Sequence, residues 1–330
     1  MLFSCKSQFV FTYRFIIVHY RMGVKYFFVD VAGNCVVYLL KCFYGIYEGV
    51  FFMAFDGITI AAMVQELHRN LDGGRFNKIA QPEADELLIT GKGANGQCRL
   101  LLSASASLPL IYFTSKNKPS PMTAPNFCML LRKHIGSARI SDIRQPGLER
   151  VVEFELEHLN ELGDPCKKVL IMELMGKHSN IIFCDDKNMI LDSIKHVSSH
   201  MSSVREVLPG REYFIPQTQD KLDPLTVDEE TFIEVVCKKP CNISRAIYSS
   251  LTGISPVVAE EVCFRASVDG SDAAQALDET AQVHLYHTFC RLMDQVREGD
   301  FTPNIIYRGE EPVEYGVFAF QQYGPEYHSV

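Results

Sequence analysis

The seven residues Gln145-Pro-Gly-Leu-Glu-Arg-Val151 are the stretch of this chain best suited to bind a charged ligand. An arginine that directly follows a Pro-Gly turn at the start of a strand can hold a phosphate or the edge of a base. The acid beside it can orient the guanidinium through a bidentate pair. The alternative is a β-turn in which Glu149 and Arg150 lie in solvent without a function.

A second candidate is the short segment Thr252-Gly-Ile-Ser-Pro256, which separates helical patterns over 244–251 and 257–266. Gly253 permits a tight turn, Ser255 can cap the second helix, and Pro256 suits its first position. This pattern predicts a helix-hairpin-helix, whose free backbone N–H groups at a helix start can hold phosphate. A helical hairpin without a ligand is the alternative.

Short strand patterns surround the first candidate and helices surround the second. Gly and Pro separate the elements, which are a helix over 58–71, four strands between 75 and 114, a helix over 126–135 and five strands between 139 and 193. Helices follow, with a long one over 272–298, and two closing strands are predicted after residue 301. We predict the α+β class, with an antiparallel β-sandwich-like domain before a helix-hairpin-helix module. No phosphate-loop motif of the form Gly-x-x-x-x-Gly-Lys-Ser/Thr occurs in the sequence.

Composition limits the function classes. The chain has 330 residues, enough for two domains, and a net charge of −8, so an RNA contact must come from local basic spots. The 11 cysteines include no Cys-x-x-Cys pair, which argues against a disulfide framework or a zinc site. Reduced thiols in the cytoplasm are the simplest interpretation, and no cofactor or metal is expected.

The first 52 residues differ from the rest, because they hold 15 Phe or Tyr against 21 in the following 278 residues. The apolar run 26–47 is interrupted by Asp30 and Lys41, so no membrane span is expected. The codons for residues 47–52 can contain the sequence of a bacterial ribosome-binding site, at the usual distance before the ATG codon of Met53. We therefore interpret residues 1–52 as a mis-assigned upstream leader and expect translation to begin at Met53.

From Met53 onward the chain resembles the N-terminal part of the NFACT family, which includes the FbpA-type fibronectin-binding proteins and, in bacteria, RqcH. The most specific matching motifs are Phe127-Cys-Met-Leu-Leu-Arg-Lys-His134, Gln145-Pro-Gly-Leu-Glu-Arg150 and Met172-Glu-Leu-Met-Gly-Lys-His-Ser-Asn-Ile-Ile182. They are joined in order by Met53-Ala-Phe-Asp-Gly57, Leu208-Pro-Gly210 with Tyr213, and the Gly-Ile-Ser-Pro turn. The resemblance covers nearly all of residues 53–320.

The resemblance implies a ribosome-rescue factor and not an enzyme. Such proteins bind a large ribosomal subunit that carries stalled peptidyl-tRNA, and they recruit alanyl-tRNA so that an alanine tail is added to the peptide. The alternative implied by the family's older name is a surface adhesin with fibronectin as its partner. The implied fold is distantly similar to formamidopyrimidine-DNA glycosylases. Those enzymes begin with a nucleophilic proline, whereas this chain has Ala54-Phe55-Asp56 after Met53, so glycosylase activity is not expected.

The resemblance also assigns residues to tRNA recognition. The family's Asp-Arg pair falls on Glu149 and Arg150, where the extra methylene of glutamate moves the carboxylate by about 1.5 Å. Lys177 and His178 match a second motif on a strand–turn–strand and can contact phosphate or a tRNA loop. Further candidate RNA contacts are Gly253 and Ser255 together with Arg132, Lys133, His134, Arg205 and Arg211. A structural turn is the alternative for His178, and a charged helix end is the alternative for residues 132–134.

Four segments follow from these observations. They are the leader 1–52, an NFACT-N domain over 53–225, the helix-hairpin-helix module over 226–300, and closing strands over 301–330, after which the family's coiled coil is expected.

Overall fold

The computed structural model describes residues 55–159, 162–216 and 220–330. These residues form two compact units. The large unit comprises the described residues from 55 to 301 together with 320–325, and the small unit comprises 302–319 and 326–330. The predicted leader and the expected start at Met53 lie outside the described residues.

The large unit is built on a nine-stranded antiparallel sheet, which confirms the α+β class. Its strands are β1 (Arg75–Ala80), β2 (Glu86–Gly93), β3 (Gly96–Ser103), β4 (Leu110–Phe113), β5 (Arg139–Arg144), β6 (Val151–Leu159), β7 (Pro165–Glu173), β8 (Asn180–Asp185) and β9 (Ile190–Ser193). The strand order is β4-β3-β2-β1-β5-β6-β7-β8-β9. The order is that of two meanders joined where Arg75 of β1 pairs with Arg139 of β5.

A half-buried lysine connects distant parts of this sheet. Lys195, just after the edge strand β9, donates to the carbonyl oxygen of Ala104 at the end of β3. It also donates to the carbonyl oxygen of Ser179 at 3.1 Å. Because β3 and β9 belong to different meanders, these bonds require a bent sheet whose halves approach each other. This is the sandwich-like arrangement that the strand pattern predicts.

Two helices cover the sheet. Helix α1 (Gly57–Leu71) begins at Asp56, whose carboxylate accepts the backbone N–H of Thr59 at 2.8 Å. Its buried side chains recur at helical spacing, including Ile60, Met63, Leu67 and Leu71. Helix α2 (Asn126–Ile135) buries Phe127, Cys128, Leu131 and Ile135 in the same way. These apolar stripes fix which face of each helix meets the core.

The helical part of the large unit contains α3 (Glu229–Phe232), which continues as a π-helical turn over Ile233–Cys237, then α4 (Ile243–Ser250), α5 (Pro256–Arg265) and α6 (Glu279–Glu298). The predicted start of the long helix at residue 272 is wrong. Ala274–Ala276 forms a separate 3₁₀ turn, and Asp278 caps α6 by accepting the backbone N–H of Ala281 at 2.8 Å.

A buried carboxylate holds residues 320–325 against α5. The side chain of Glu261 is fully buried and accepts the backbone N–H groups of Gln321 and Gln322 at 2.9–3.1 Å. It also accepts a bond from Arg265 Nε at 2.6 Å. These donors compensate the cost of burying the charge.

The small unit is a three-stranded antiparallel sheet. Its strands are β10 (Asn304–Arg308), β11 (Glu311–Gly316) and β12 (Tyr327–Ser329), in the order β11-β10-β12. The two predicted closing strands are confirmed, and the short β12 was not predicted. Within the described residues no helix combines the length and apolarity needed to cross a bilayer, and the eight cysteines found there are free.

Candidate functional site

Three segments that are distant in sequence meet at two glycines and a leucine. The backbone N–H of Gly57, at the start of α1, donates to the carbonyl oxygen of Gly253 at 2.9 Å. A Cβ atom on Gly57 would lie 2.0 Å from the carbonyl oxygen of Leu148, and one on Gly253 would lie 2.2 Å from the same atom. Gly253 also has a φ of +72°, which side chains disfavour. Only glycine fits at both positions.

Leu148 belongs to the motif loop, residues 145–150, which connects β5 to β6. The Gln145 side-chain amide donates to the carbonyl oxygens of Gly57 and Glu149, both at 2.8 Å. The backbone N–H of Glu149 donates to the Pro146 carbonyl oxygen at 3.0 Å, which closes the predicted turn. Since Leu148 is buried as well, the loop has a fixed conformation, and it presents the half-buried side chains of Glu149 and Arg150.

A fourth segment, residues 220–223, lies beside the turn between α4 and α5. Leu222 donates through its N–H to the Ser250 carbonyl oxygen at 2.8 Å and accepts from the Thr252 N–H at 2.9 Å. The ammonium of Lys221 donates to the Tyr248 carbonyl oxygen at 2.9 Å. These bonds hold Lys221 next to the motif loop.

The motif loop, residues 220–223 and the turn between α4 and α5 line an open cavity of about 630 Å³, a size typical of small-ligand sites. Its lining consists of residues 146–150, Pro216, residues 220–223, Thr252 and Gly253. Two cations, Arg150 and Lys221, and three acids, Glu149, Asp220 and Asp223, are among these residues. The cavity can therefore pair with acceptors and with donors, which suits a nucleotide better than a bare phosphate.

The charged groups in the cavity influence one another. Burial raises the pKa of Glu149, and the positive charges of Arg150 and Lys221 oppose that effect. Burial and the charge of Arg150 lower the pKa of Lys221, whereas Glu149 acts to raise it. Arg150 influences the pKa of Glu149 through its charge. Among the described residues, the two side chains do not form the bidentate pair that the sequence suggests.

Lys177 and His178 are exposed on a 3₁₀ turn, Gly176–His178, between β7 and β8. The Leu174 N–H donates to the Arg150 carbonyl oxygen at 2.9 Å, and Val151 pairs with Glu173. The turn therefore lies at the same end of the sheet as Arg150. The strand–turn–strand is confirmed.

The two residues that follow, Ser179 and Asn180, are buried and stabilise that turn. The Ser179 hydroxyl accepts the Met175 N–H at 2.8 Å. The Asn180 amide donates to the Lys195 carbonyl oxygen at 2.8 Å. Both side chains are therefore structural, and the exposed groups of this turn that can meet a ligand are those of Lys177 and His178.

Arg205 is wrongly predicted as an RNA contact. Its guanidinium is only 10 % exposed and holds the fully buried carboxylate of Glu173 through bonds of 2.5 and 2.6 Å. Tyr213 donates to the same carboxylate at 3.0 Å. Burial has the largest single effect and lowers the pKa of Arg205, but the charge of Glu173, its hydrogen bond and the contribution of Tyr213 together exceed that effect, so the net pKa is raised and the guanidinium stays charged. Arg205 therefore stabilises the end of the sheet next to the motif loop, where Glu173 pairs with Val151.

The other predicted residues lie outside the cavity lining. Arg132 Nε donates to the Ile79 carbonyl oxygen at 2.7 Å, Lys133 is exposed, and the ring of His134 lies 6.0 Å from that of Phe183. Arg211 is exposed and pairs with Glu206 at 2.8 Å. The structure does not bring these four residues together with Arg150.

Ser255 caps α5 as predicted, because its hydroxyl accepts the Val258 N–H at 3.4 Å. It also donates to Asp56 at 2.7 Å, so this hydroxyl is committed to the junction and not to a ligand. Of the pair Gly253 and Ser255, only Gly253 lines the cavity. The helix–turn–helix of α4 and α5 is present, and its assignment as a helix-hairpin-helix stays a prediction.

Sequence reasoning missed Lys221. It lies 221 − 150 = 71 residues after Arg150, and no local pattern connects the two. The available signal was a lysine between two acids in the loop-rich bridge, Asp220-Lys-Leu-Asp223, which is also an ordinary surface composition.

Residues 56–330 match the family model described as NFACT N-terminal and middle domains. The Rqc2 homolog RqcH of Bacillus subtilis (strain 168) is 37 % identical over 256 residues, which are 77 % of this chain and 43 % of that protein. The chain thus spans less than half the length of this relative.

Two solved structures are similar in fold. The N-terminal part of the fibronectin/fibrinogen-binding protein from Streptococcus suis has a TM-score of 0.68 and 30 % identity, covering 81 % of this chain and 91 % of that one. The fibrinogen-binding protein from Staphylococcus aureus has a TM-score of 0.69 and 26 % identity, covering 84 % and 95 %.

Proposed function

The chain belongs to the NFACT family, and from that premise we propose that it is a ribosome quality control factor that binds RNA at the cavity beside Arg150. The observation that carries the proposal is the assembly of this cavity from the motif loop, residues 220–223 and the α4–α5 turn. The name of the Bacillus subtilis relative, an Rqc2 homolog, supports the ribosomal role.

The charge distribution fits a local RNA contact in an acidic protein. Arg150 and Lys221 supply positive charge inside the cavity, and Lys177 and His178 add exposed donors at the same end of the sheet. Phosphate contacts by such groups position a nucleic acid, while donors and acceptors in a pocket read its bases. The acids in the cavity can accept bonds from exocyclic amines of bases.

The finer proposal follows the family. The protein binds a large ribosomal subunit with stalled peptidyl-tRNA in the cytoplasm and recruits alanyl-tRNA, which directs addition of a C-terminal alanine tail. Peptide-bond chemistry then belongs to the ribosome, so the protein acts by binding and not as an enzyme. Glu149 stands in place of the family's aspartate. Its extra methylene shifts the position of the carboxylate in the cavity, and this shift alters how tRNA is recognised.

The test is a pull-down of the tagged protein from cells, followed by sequencing of the bound RNA. We expect large-subunit rRNA and alanyl-tRNA with the wild type. Arg150→Ala should retain the rRNA and lose tRNA by about fivefold or more, the effect of one specific arginine contact. Arg69→Ala, an equal charge change at the exposed end of α1, is the matched control and should retain both.

Absence of rRNA and tRNA from the wild-type pull-down would overturn the main proposal. Equal tRNA recovery with Arg150→Ala and Arg69→Ala would overturn the assignment of Arg150.

An adhesin that binds fibronectin is the second candidate, supported by the fold similarity to the Streptococcus suis fibronectin/fibrinogen-binding protein. The two functions differ in where the protein is found. Surface labelling of intact cells that recovers the native protein, together with fibronectin binding by the purified chain, would favour the adhesin.

A further inference from the structure

We propose that Phe214 is a stacking platform for an unpaired RNA base, a role that rests on RNA binding at the neighbouring cavity. Phe214 belongs to no motif singled out in the sequence, and the residue is 50 % exposed. The proposal adds an aromatic contact to the cationic ones at Arg150 and Lys221.

The backbone under Phe214 is held on both sides of the residue. Arg205 Nη1 donates to the Phe214 carbonyl oxygen at 2.5 Å. The preceding residue, Tyr213, is buried, and its hydroxyl donates to Glu173 at 3.0 Å. Arg205 and Tyr213 thus share one buried carboxylate and fix the chain at this point. An exposed ring on such a fixed backbone loses little conformational entropy when it binds.

The position of Phe214 relates it to the cavity. Glu173, to which its supporting residues bond, pairs with Val151, the residue that follows Arg150. Pro216, two residues after Phe214, lines the cavity. The ring is therefore carried by a segment that runs from the supported sheet end to the cavity that holds Arg150.

Cations that line a cavity, together with an exposed aromatic ring on a nearby fixed backbone, have the chemistry that binds single-stranded RNA. Lys and Arg hold the phosphates, and a base stacks on the ring regardless of its identity. A base inside a duplex is already stacked on its neighbours, so the contact selects unpaired nucleotides such as those of a tRNA loop. Phe offers no hydrogen bond, so base identity must be read by the polar groups of the cavity.

The absence of tryptophan from the chain makes the contact directly observable, since Phe214→Trp introduces a lone indole. We expect unfractionated tRNA to quench its fluorescence, because a base stacks on the indole, and an RNA duplex of about 20 base pairs to leave it unchanged. The matched control is Phe264→Trp on α5, where the residue is 52 % exposed and lies about 12 Å along the helix from Pro256. It should not respond to tRNA.

Affinity gives the second readout. Phe214→Ala should weaken tRNA binding by about 5- to 150-fold, the range for loss of one stacked base, whereas Phe214→Tyr and Phe214→Trp should bind like the wild type. Equal unfolding midpoints for the wild type and all variants show that the fold is intact.

The outcomes separate the two proposals. If the wild type binds tRNA and Arg150→Ala weakens it, but Phe214→Ala does not and the indole at 214 is silent, the stacking role is refuted and RNA binding stands. If the wild type binds no tRNA, the proposed function fails and the stacking role fails with it. If the indole at 214 responds to fibronectin and not to tRNA, Phe214 belongs to a protein-binding surface, and the stacking role is refuted.

Discussion

The contact of Gly57, Leu148 and Gly253 predicts unequal costs for three glycine substitutions. Gly147→Ala meets no atom within 4 Å but keeps a φ of +55°, so it measures the backbone cost alone, about 1–2 kcal/mol. Gly57→Ala has no such φ, but its Cβ would lie 2.0 Å from the Leu148 carbonyl oxygen. It measures the steric cost alone, about 1–3 kcal/mol.

Gly253→Ala combines both costs. Its φ is +72°, and its Cβ would lie 2.2 Å from the Leu148 carbonyl oxygen and 2.7 Å from the Leu148 Cβ. The clashing oxygen belongs to the backbone, so the loop itself must move. We expect a loss of about 2–5 kcal/mol in the free energy of unfolding.

Urea unfolding of the three variants and the wild type tests the ranking. Gly253→Ala should have the lowest midpoint, with no change of slope that would indicate an altered denatured state. Because the shift of the loop displaces Arg150, the affinity of the Gly253→Ala variant for tRNA should fall as well. The reasoning is wrong if Gly253→Ala is no more destabilising than Gly147→Ala.

Two further results are expected. Arg205→Ala leaves the carboxylate of Glu173 buried without its partner and should lower the free energy of unfolding, measured in urea, by about 3–5 kcal/mol. Arg211→Ala breaks an exposed pair and should lower it by less than about 1 kcal/mol. Equal midpoints for the two variants would contradict the structural role of Arg205. The second concerns pH. The pKa of Glu149 is raised by burial, so the folded chain binds the proton more tightly than the unfolded chain, and ionisation destabilises the fold as pH rises above the ordinary carboxyl range of about 4. Glu149→Gln should therefore gain stability relative to the wild type between about pH 4 and pH 7, by less than about 1 kcal/mol because the side chain is half-exposed; a difference that does not depend on pH would contradict this.

Local patterns were sufficient to predict most elements of the large unit. Helix α2 begins and ends at the predicted residues, and the four and five predicted strands all form, because apolar spacing and Gly or Pro boundaries are encoded within each segment. The start of α6 was missed because residues 272–278 form a 3₁₀ turn and a cap that resemble a first helical turn in composition.

The site was only partly predictable. The motif loop carries its own turn signal, so Glu149 and Arg150 could be found from their sequence. Lys221 and Phe214 could not, because hydrogen bonds to Tyr248 and from Arg205 place them, and these partners are assigned only by tertiary structure. Arg205 shows the opposite error, since an arginine that binds RNA and one that compensates a buried acid look alike in sequence.

The junction of Gly57, Leu148 and Gly253 also determines when the site can exist during folding. Its three members are separated by 148 − 57 = 91 and 253 − 148 = 105 residues. Contacts of such separation require closure of long loops and are slow to form. As the chain is synthesised, strands β5 and β6 can pair around the motif loop early, but the cavity is complete only after the α4–α5 turn has emerged. Arg150 therefore acquires its binding geometry only after this long-range contact has formed, and a nascent chain that has not reached Gly253 carries the motif without the site.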